Sequence, residues 1–489
     1  MSFAEGTADG THRRILNSIS TGVSVTIFVS ILGAISVRSI TTHLGAAAFG
    51  IFVLVQAFVS LVWNFTDLGL SQVLQRDIAR DDKDERGLLS YAMGLRVTLG
   101  LIVVPVAAAV GLLVYSQRSE ALKIGLVLLL CSVPFSVAQE VAAAHYTARL
   151  RNVNLAVAAV MQQVIFVGLV ILAVELKMSI TYCVGAALIG SIVAATYTVV
   201  SARREIAFSP AFNKAVWYSM LRTSSPIGLA YIIGSLYLKA DTVILSFLST
   251  VKQIGYYGVS YAIVSVFLVL PVILTRTFIP VLVKATNESM DDAVNSSLAF
   301  FAIGGTLSAT GILVCGPTIV RLISGPHFGP AVFPLRVLGL GLIFIFMTNG
   351  LSSVCLARGF TSKLFVMSVI SLVLNIALNI AAIPKLGIDG AADATLICEV
   401  LSVAFMTYLV VTYVRVRPRV LGVLWRPLLA GAVPSAVLAP IYLRDNLSIT
   451  IGIVLIPVVG IVYLGTLAAL RGIPPEMSSV LRSFRRASN

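Results

Sequence analysis

Apolar runs of about twenty residues follow one another from Ile15 to Leu470, each long enough to cross the core of a bilayer as a helix. The chain is 58% hydrophobic and only 11% charged, against about 25% charged in a soluble domain, so it has too few charges to cover a water-facing surface. The mean hydropathy of +0.98 agrees. These features specify an all-α polytopic membrane protein.

Fourteen spans are predicted, at 15–41, 47–74, 88–115, 121–147, 152–174, 180–202, 222–247, 254–282, 294–323, 331–356, 361–382, 388–414, 422–442 and 448–470. An even number places both termini on one side. Twenty-four of the 35 Lys and Arg lie in the loops and ends on that side, among them Arg13, Arg14, Lys83, Arg149, Arg151, Arg482, Arg485 and Arg486. Nine, such as Arg118 and Arg444, lie on the other. The positive-inside rule then makes both termini cytoplasmic.

The net charge of +14 is confined to short loops between apolar runs, which argues against nucleic acid as a partner. Cys131, Cys183, Cys315, Cys355 and Cys398 lie scattered inside the spans without a CxxC, so neither a disulfide framework nor a metal site is expected. No Walker motif, HExxH or GxSxG is present, and the short loops leave no room for an extramembrane catalytic domain. An enzyme, catalytic residues and cofactors are therefore not expected. The first span lacks an A-x-A-like cleavage site and reads as a retained helix.

An internal repeat is visible. "FGIFVLVQAFVS" (49–60) aligns with "IGYYGVSYAIVS" (254–265), and "VGAALIGSIV" (184–193) with "DGAADATLIC" (389–398), both at an offset of 205. A repeat of six spans gives two copies facing the same way, related by a pseudo-twofold along the membrane normal, with a site expected between them near the midplane. The predicted organisation is an N-terminal lobe over 1–205, a C-terminal lobe over 206–416, and two extra helices with a tail over 417–489.

The stretches "HLGAAAFGIFVLVQAF", "FTDLGLSQVLQRDIA", "KADTVILSFLSTVKQIGYYGVSYAI" and "NIALNIAAIPKLGIDGAADATLICE" resemble the polysaccharide transporter (Wzx-type oligosaccharide flippase) family. That family belongs to the superfamily that also holds lipid II flippases and MATE drug exporters. The resemblance covers spans 1–12 and rests on glycines and short turns, which mark a fold better than a substrate. It implies a flippase in the bacterial plasma (inner) membrane that moves a polyprenyl-pyrophosphate oligosaccharide from the cytoplasmic to the outer leaflet by alternating access. A polysaccharide polymerase or export machinery would then be a partner.

A polar head group needs a polar lining, and three spans carry polar residues at helical spacing. They are Gln56, Ser60, Asn64, Asp67 and Ser71; Ser235, Lys239, Thr242 and Ser246; and Ser368, Ser371, Asn375 and Asn379. Arg38, Arg96, Lys239 and Arg276 would offer cations to an anionic pyrophosphate. Lys239 lies too far from either span end to snorkel easily. Asp241, two residues on and about 200° around the helix, cannot share its face. Substrate-binding candidates are therefore Lys239, Arg38, Arg96, Arg276, Asp67, Asn375 and Asn379. Other readings stay open: Asp67 and Arg96 as a structural ion pair, Arg38 and Arg276 as interfacial anchors, and small polar residues as interhelix glue. Asp67 is also the candidate for coupling to protons, whereas His43 and His145 read as interfacial residues. A cation-coupled exporter would call for an acid in the first span, and 15–41 holds none. Lipid II remains an alternative cargo.

Overall fold

The longest helix, α1 (Phe3–Asp67), shows how the first two spans are made. Its apolar part, Val25–Asp67, has 43 residues. At 1.5 Å per residue it would run about 65 Å, roughly twice a bilayer core. It is broken at Gly45, whose φ of 81° and ψ of 179° lie in a region essentially reserved for glycine. The apolar stretch therefore makes two crossings. Space is not the constraint there, because nothing lies within 4 Å of where a Cβ would sit. Gly45→Ala should cost about 1–3 kcal/mol through backbone strain alone, read as a lower melting temperature of the purified protein.

The computed structural model describes residues 3–80, 84–149, 151–286, 288–442 and 449–472, with side chains from Val25 onward except at 441, 442 and 449. Lys83, Arg444, Arg482, Arg485 and Arg486 lie outside the described residues, as do the side chains of Arg13 and Arg14. Thirteen helical stretches among the described residues are long and apolar enough to cross a membrane. Counting Val25–Asp67 as two gives the fourteen spans expected.

The chain divides into two compact units, Met1–Val243 and Ile244–Asn489. In the first, α1 is followed by α2 (Leu70–Arg80), α3 (Glu85–Val114), α4 (Glu120–Leu130), α5 (Val133–Ala148), α6 (Val153–Glu175), α7 (Ile180–Glu205) and α8 (Lys214–Leu248), whose last turns belong to the second. The second continues with α9 (Val251–Phe267), α10 (Val269–Lys284), α11 (Met290–Ser324), α12 (Val332–Ala357), α13 (Thr361–Leu386), α14 (Ile388–Leu409), α15 (Val420–Tyr442) and α16 (Ile449–Ala469). No strand occurs among the described residues.

Both units are clothed in apolar side chains. Leu101, Leu113, Phe212, Leu421 and Ile461 are each about 70% or more exposed, which suits lipid as the solvent. Inside, small residues let helices approach closely, as expected where no hydrophobic force separates helix from lipid. In the second unit, Gly305 and Gly350 on α11 and α12 leave room for Phe346 and Phe301. α15 and α16 pack on α11: the Tyr463 hydroxyl lies 2.6 Å from Thr306 Oγ1, and Gly431 and Gly452 accommodate Thr310 and Thr318. None of the five cysteines is in a disulfide, and four of them are buried.

Candidate functional site

The second span does not run through to its predicted end. α1 stops at Asp67, Leu68 and Gly69 take positive φ of 46° and 74°, and α2 starts at Leu70. Asp67 holds this break. Its Oδ2 accepts from the Gly69 amide at 3.2 Å, and its Oδ1 accepts from the Ser71 amide at 3.1 Å and the Ser71 hydroxyl at 2.7 Å. It thus satisfies amide donors that the start of α2 would otherwise leave open.

Arg96 of α3 closes the arrangement. Only 1% exposed, it places Nη2 at 3.1 Å from Asp67 Oδ1 and 2.8 Å from Glu140 Oε2 of α5, while Nη1 donates to Ser71 Oγ at 3.0 Å. A buried guanidinium is costly unless its charge is matched, and two carboxylates and a hydroxyl meet its terminal nitrogens here, while Nε has no partner among the described residues. Asp67 and Arg96 therefore form the ion pair that the sequence left as one alternative.

Glu140 links this cluster to an open cavity of about 360 Å³ lined by the first unit. α1 contributes Gln56, Ser60 and Trp63 to its wall, and Ser132 leads into α5, which adds Ser136 and Gln139 beside Glu140. α6 contributes Gln162 and α7 Ser191, with Gln162 Nε2 at 3.3 Å from Ser191 Oγ. Counting back along the helix from Asp67, Gln56 lies about 16 Å deeper, so the cavity reaches toward the middle of the span. Sequence inspection did not assemble the α5 side of this wall. Ser132, Ser136 and Gln139 are spaced by four and three residues, a readable polar stripe, but the helix break at Cys131–Ser132 obscures it.

None of the other candidates lines this cavity. Arg38 on α1 and Arg276 on α10 are exposed. Lys239 on α8 is half-buried, whereas Asp241, on the opposite side of the helix, is 6% exposed. On the same helix Ser235 accepts from Asn64 Nδ2 at 2.9 Å, joining two of the predicted stripes. Asn375 and Asn379 on α13 are fully buried, and Ser371 meets Ser402 of α14 at 3.3 Å. His145, in the last turn of α5, is held in a charged cluster. It is 2% exposed, with Nδ1 at 2.6 Å from Glu85 and Nε2 at 3.2 Å from Glu205. Arg149 pairs with Glu85 and Arg151 with Glu205, so loop ends assigned to the cytoplasmic side meet in one charged cluster.

The sequence profile of the polysaccharide biosynthesis protein family matches residues 15–286, more than half of the chain. The chain belongs to this family. One relative, a probable low-salt glycan biosynthesis flippase, Agl15 of Haloferax volcanii, is 22% identical over 390 residues, covering 76% of the chain and 79% of that protein. The fold is similar to that of the lipid II flippase MurJ in an inward closed conformation, with a TM-score of 0.76 at 16% identity over 92% of this chain and 98% of that one. It is also similar to an inward-facing MATE multidrug transporter of the MOP superfamily, with a TM-score of 0.63 at 16% identity over 81% and 99% of the two chains. The family member described here is thus a multi-pass membrane protein with the fold of those transporters.

Proposed function

We propose that this protein is a flippase, carrying the head group of a polyprenyl-linked oligosaccharide from the cytoplasmic to the outer leaflet of the plasma membrane by alternating access. The observation that carries this reading is the polar cavity walled by α1, α5, α6 and α7 within a bundle whose outer surface is apolar. Amides, hydroxyls and a carboxylate at that depth are costly unless they meet a hydrophilic guest or water. Family membership and the flippase relative support the same class. No acid occurs in 15–41, which disfavours a cation-coupled exporter.

In this mechanism the hydrophobic tail stays in lipid while the head crosses. Lys239 contacts the anionic pyrophosphate, and Arg38 and Arg276 recruit it. Arg96 acts on Glu140 and Asp67, holding the cluster beside the cavity. Both termini are cytoplasmic. Lys239→Ala should slow transport about tenfold or more with an unchanged amount of protein in the membrane. Full transport in that variant would remove Lys239 from the site.

A second reading, lipid II as cargo, is favoured by the likeness to MurJ. Depletion in the native host separates the readings. Lipid-linked oligosaccharide accumulating on the cytoplasmic leaflet supports the first, accumulation of lipid II the second, and unchanged lipids with altered dye efflux would overturn both.

A further inference from the structure

The cavity in the first unit has a chemistry of its own, distinct from the cations invoked for a pyrophosphate. Its wall contains no Lys or Arg. The one charged side chain on it, Glu140, has Oε2 occupied by Arg96 and Ser71, while Oε1 accepts no hydrogen bond among the described residues. Gln56 and Gln139 line it without a side-chain hydrogen bond to any described residue. Ser60 and Ser132 donate to carbonyls three residues back, Ala57 O at 2.8 Å and Leu129 O at 2.6 Å, so their oxygens can only accept from a guest.

Glutamine amides and a carboxylate beside an indole suit one class of ligand. A sugar hydroxyl is donor and acceptor at once, and a glutamine amide offers both functions from one end. A carboxylate held from behind by Arg96 accepts from hydroxyls with charge-assisted strength. Trp63 supplies an apolar face of the kind that covers a ring's C–H surface. The volume of about 360 Å³ is at the small end of ligand sites, suited to a single ring rather than a whole glycan. An anionic sugar would meet Glu140 with no cation on the wall to offset it.

We propose that this cavity is a binding site for one uncharged sugar residue of the carried glycan, held by Gln56, Gln139 and Glu140 against Trp63, and that it excludes uronic acids. The proposal rests on the flippase reading and adds to it a selection by sugar charge. It also separates two tasks: cations elsewhere meet the phosphate, and this wall meets the sugar.

The test uses the full chain in lipid nanodiscs with Trp217→Phe and Trp425→Phe, leaving Trp63 as the only one of the three tryptophans. N-acetylglucosamine and methyl glucoside should change its emission saturably, and glucuronate should not. Gln56→Leu with Gln139→Leu should weaken the response about tenfold or more. If that pair does not stay monodisperse, Gln139→Glu keeps the side-chain shape, replaces an amide by a carboxylate and must give the same direction of loss. An equal response to glucuronate, no saturable response to either neutral sugar, or a response to sodium alone overturns the proposal. The same variants in vesicles distinguish it from the broader reading. If the unmodified protein flips a lipid-linked oligosaccharide and the Gln56/Gln139 pair flips it equally fast, the sugar site falls while the flippase stands. If the unmodified protein binds neutral sugar at Trp63 yet flips no such lipid, the flippase reading falls instead.

Discussion

Arg96→Met is expected to destabilise the protein by about 3–5 kcal/mol, because it leaves Asp67 and Glu140 buried or half-buried without their countercharge. The methionine fills much of the volume, so the loss is electrostatic rather than a cavity. Asp67 is only 5% exposed, so water compensates it little, whereas Glu140, on the cavity wall, is compensated in part. The check is a thermal melt of the purified variant followed by size-exclusion chromatography. Adding Asp67→Asn and Glu140→Gln should return most of the loss, since replacing a whole buried ionic set is often close to neutral. The return should be incomplete because Asp67 also accepts from two amides at the start of α2, and an amide side chain has only one oxygen for them. If Arg96→Met melts with the parent, the guanidinium does not hold the break in the second span.

Gly228→Ala should be worse than its one methyl suggests. A Cβ there would sit 2.2 Å from the carbonyl carbon and 2.3 Å from the oxygen of Leu68, and one on Gly69 would sit 2.5 Å from Gly228 N. These are contacts between two backbones, so no side-chain rotation relieves them. A loss of about 3 kcal/mol or more is expected, at the upper end of overpacking. Gly234→Ala on the same helix is the control: nothing lies within 4 Å of its Cβ, and it should be neutral or stabilising by about 0.5–1 kcal/mol. The comparison is made on yield and melting temperature of the two variants. Equal behaviour would mean that α8 does not seat against the Leu68–Gly69 break.

These two predictions also show what could be read from the chain and what could not. The spans were legible because a bilayer core fixes helix length and forbids unpaired backbone, so apolar run length alone locates them. Even the turn at Gly45 was anticipated by the short polar interval before it. The break at Leu68–Gly69 was not, since a two-residue change in φ leaves no mark in hydropathy. Residues at i and i+4 share a face by local geometry, so the stripe from Gln56 to Asp67 could be drawn. Its partners could not. Arg96 and Glu140 are 44 residues apart, Glu85 and His145 60, and pairing over such separations is decided by how helices pack. The sequence leaves Arg96 open as a ligand contact or a structural ion, and in the structure it is 1% exposed and paired with two carboxylates. Gly228 was visible as a glycine, but the backbone it admits lies some 160 positions away in the chain.

The central claim is that this protein moves a glycan head group through a polar interior while the lipid tail remains outside. The most direct measurement reconstitutes the purified chain in vesicles containing a polyprenyl-pyrophosphate oligosaccharide, with proton, sodium and electrical gradients imposed in turn. An impermeant glycosidase then reports how much of the glycan is outside. Digestion should proceed past the outer-leaflet pool and consume the inner one, in the presence of the protein and under at least one gradient. Digestion that stops at the outer pool under every gradient, as in protein-free vesicles, would contradict the claim.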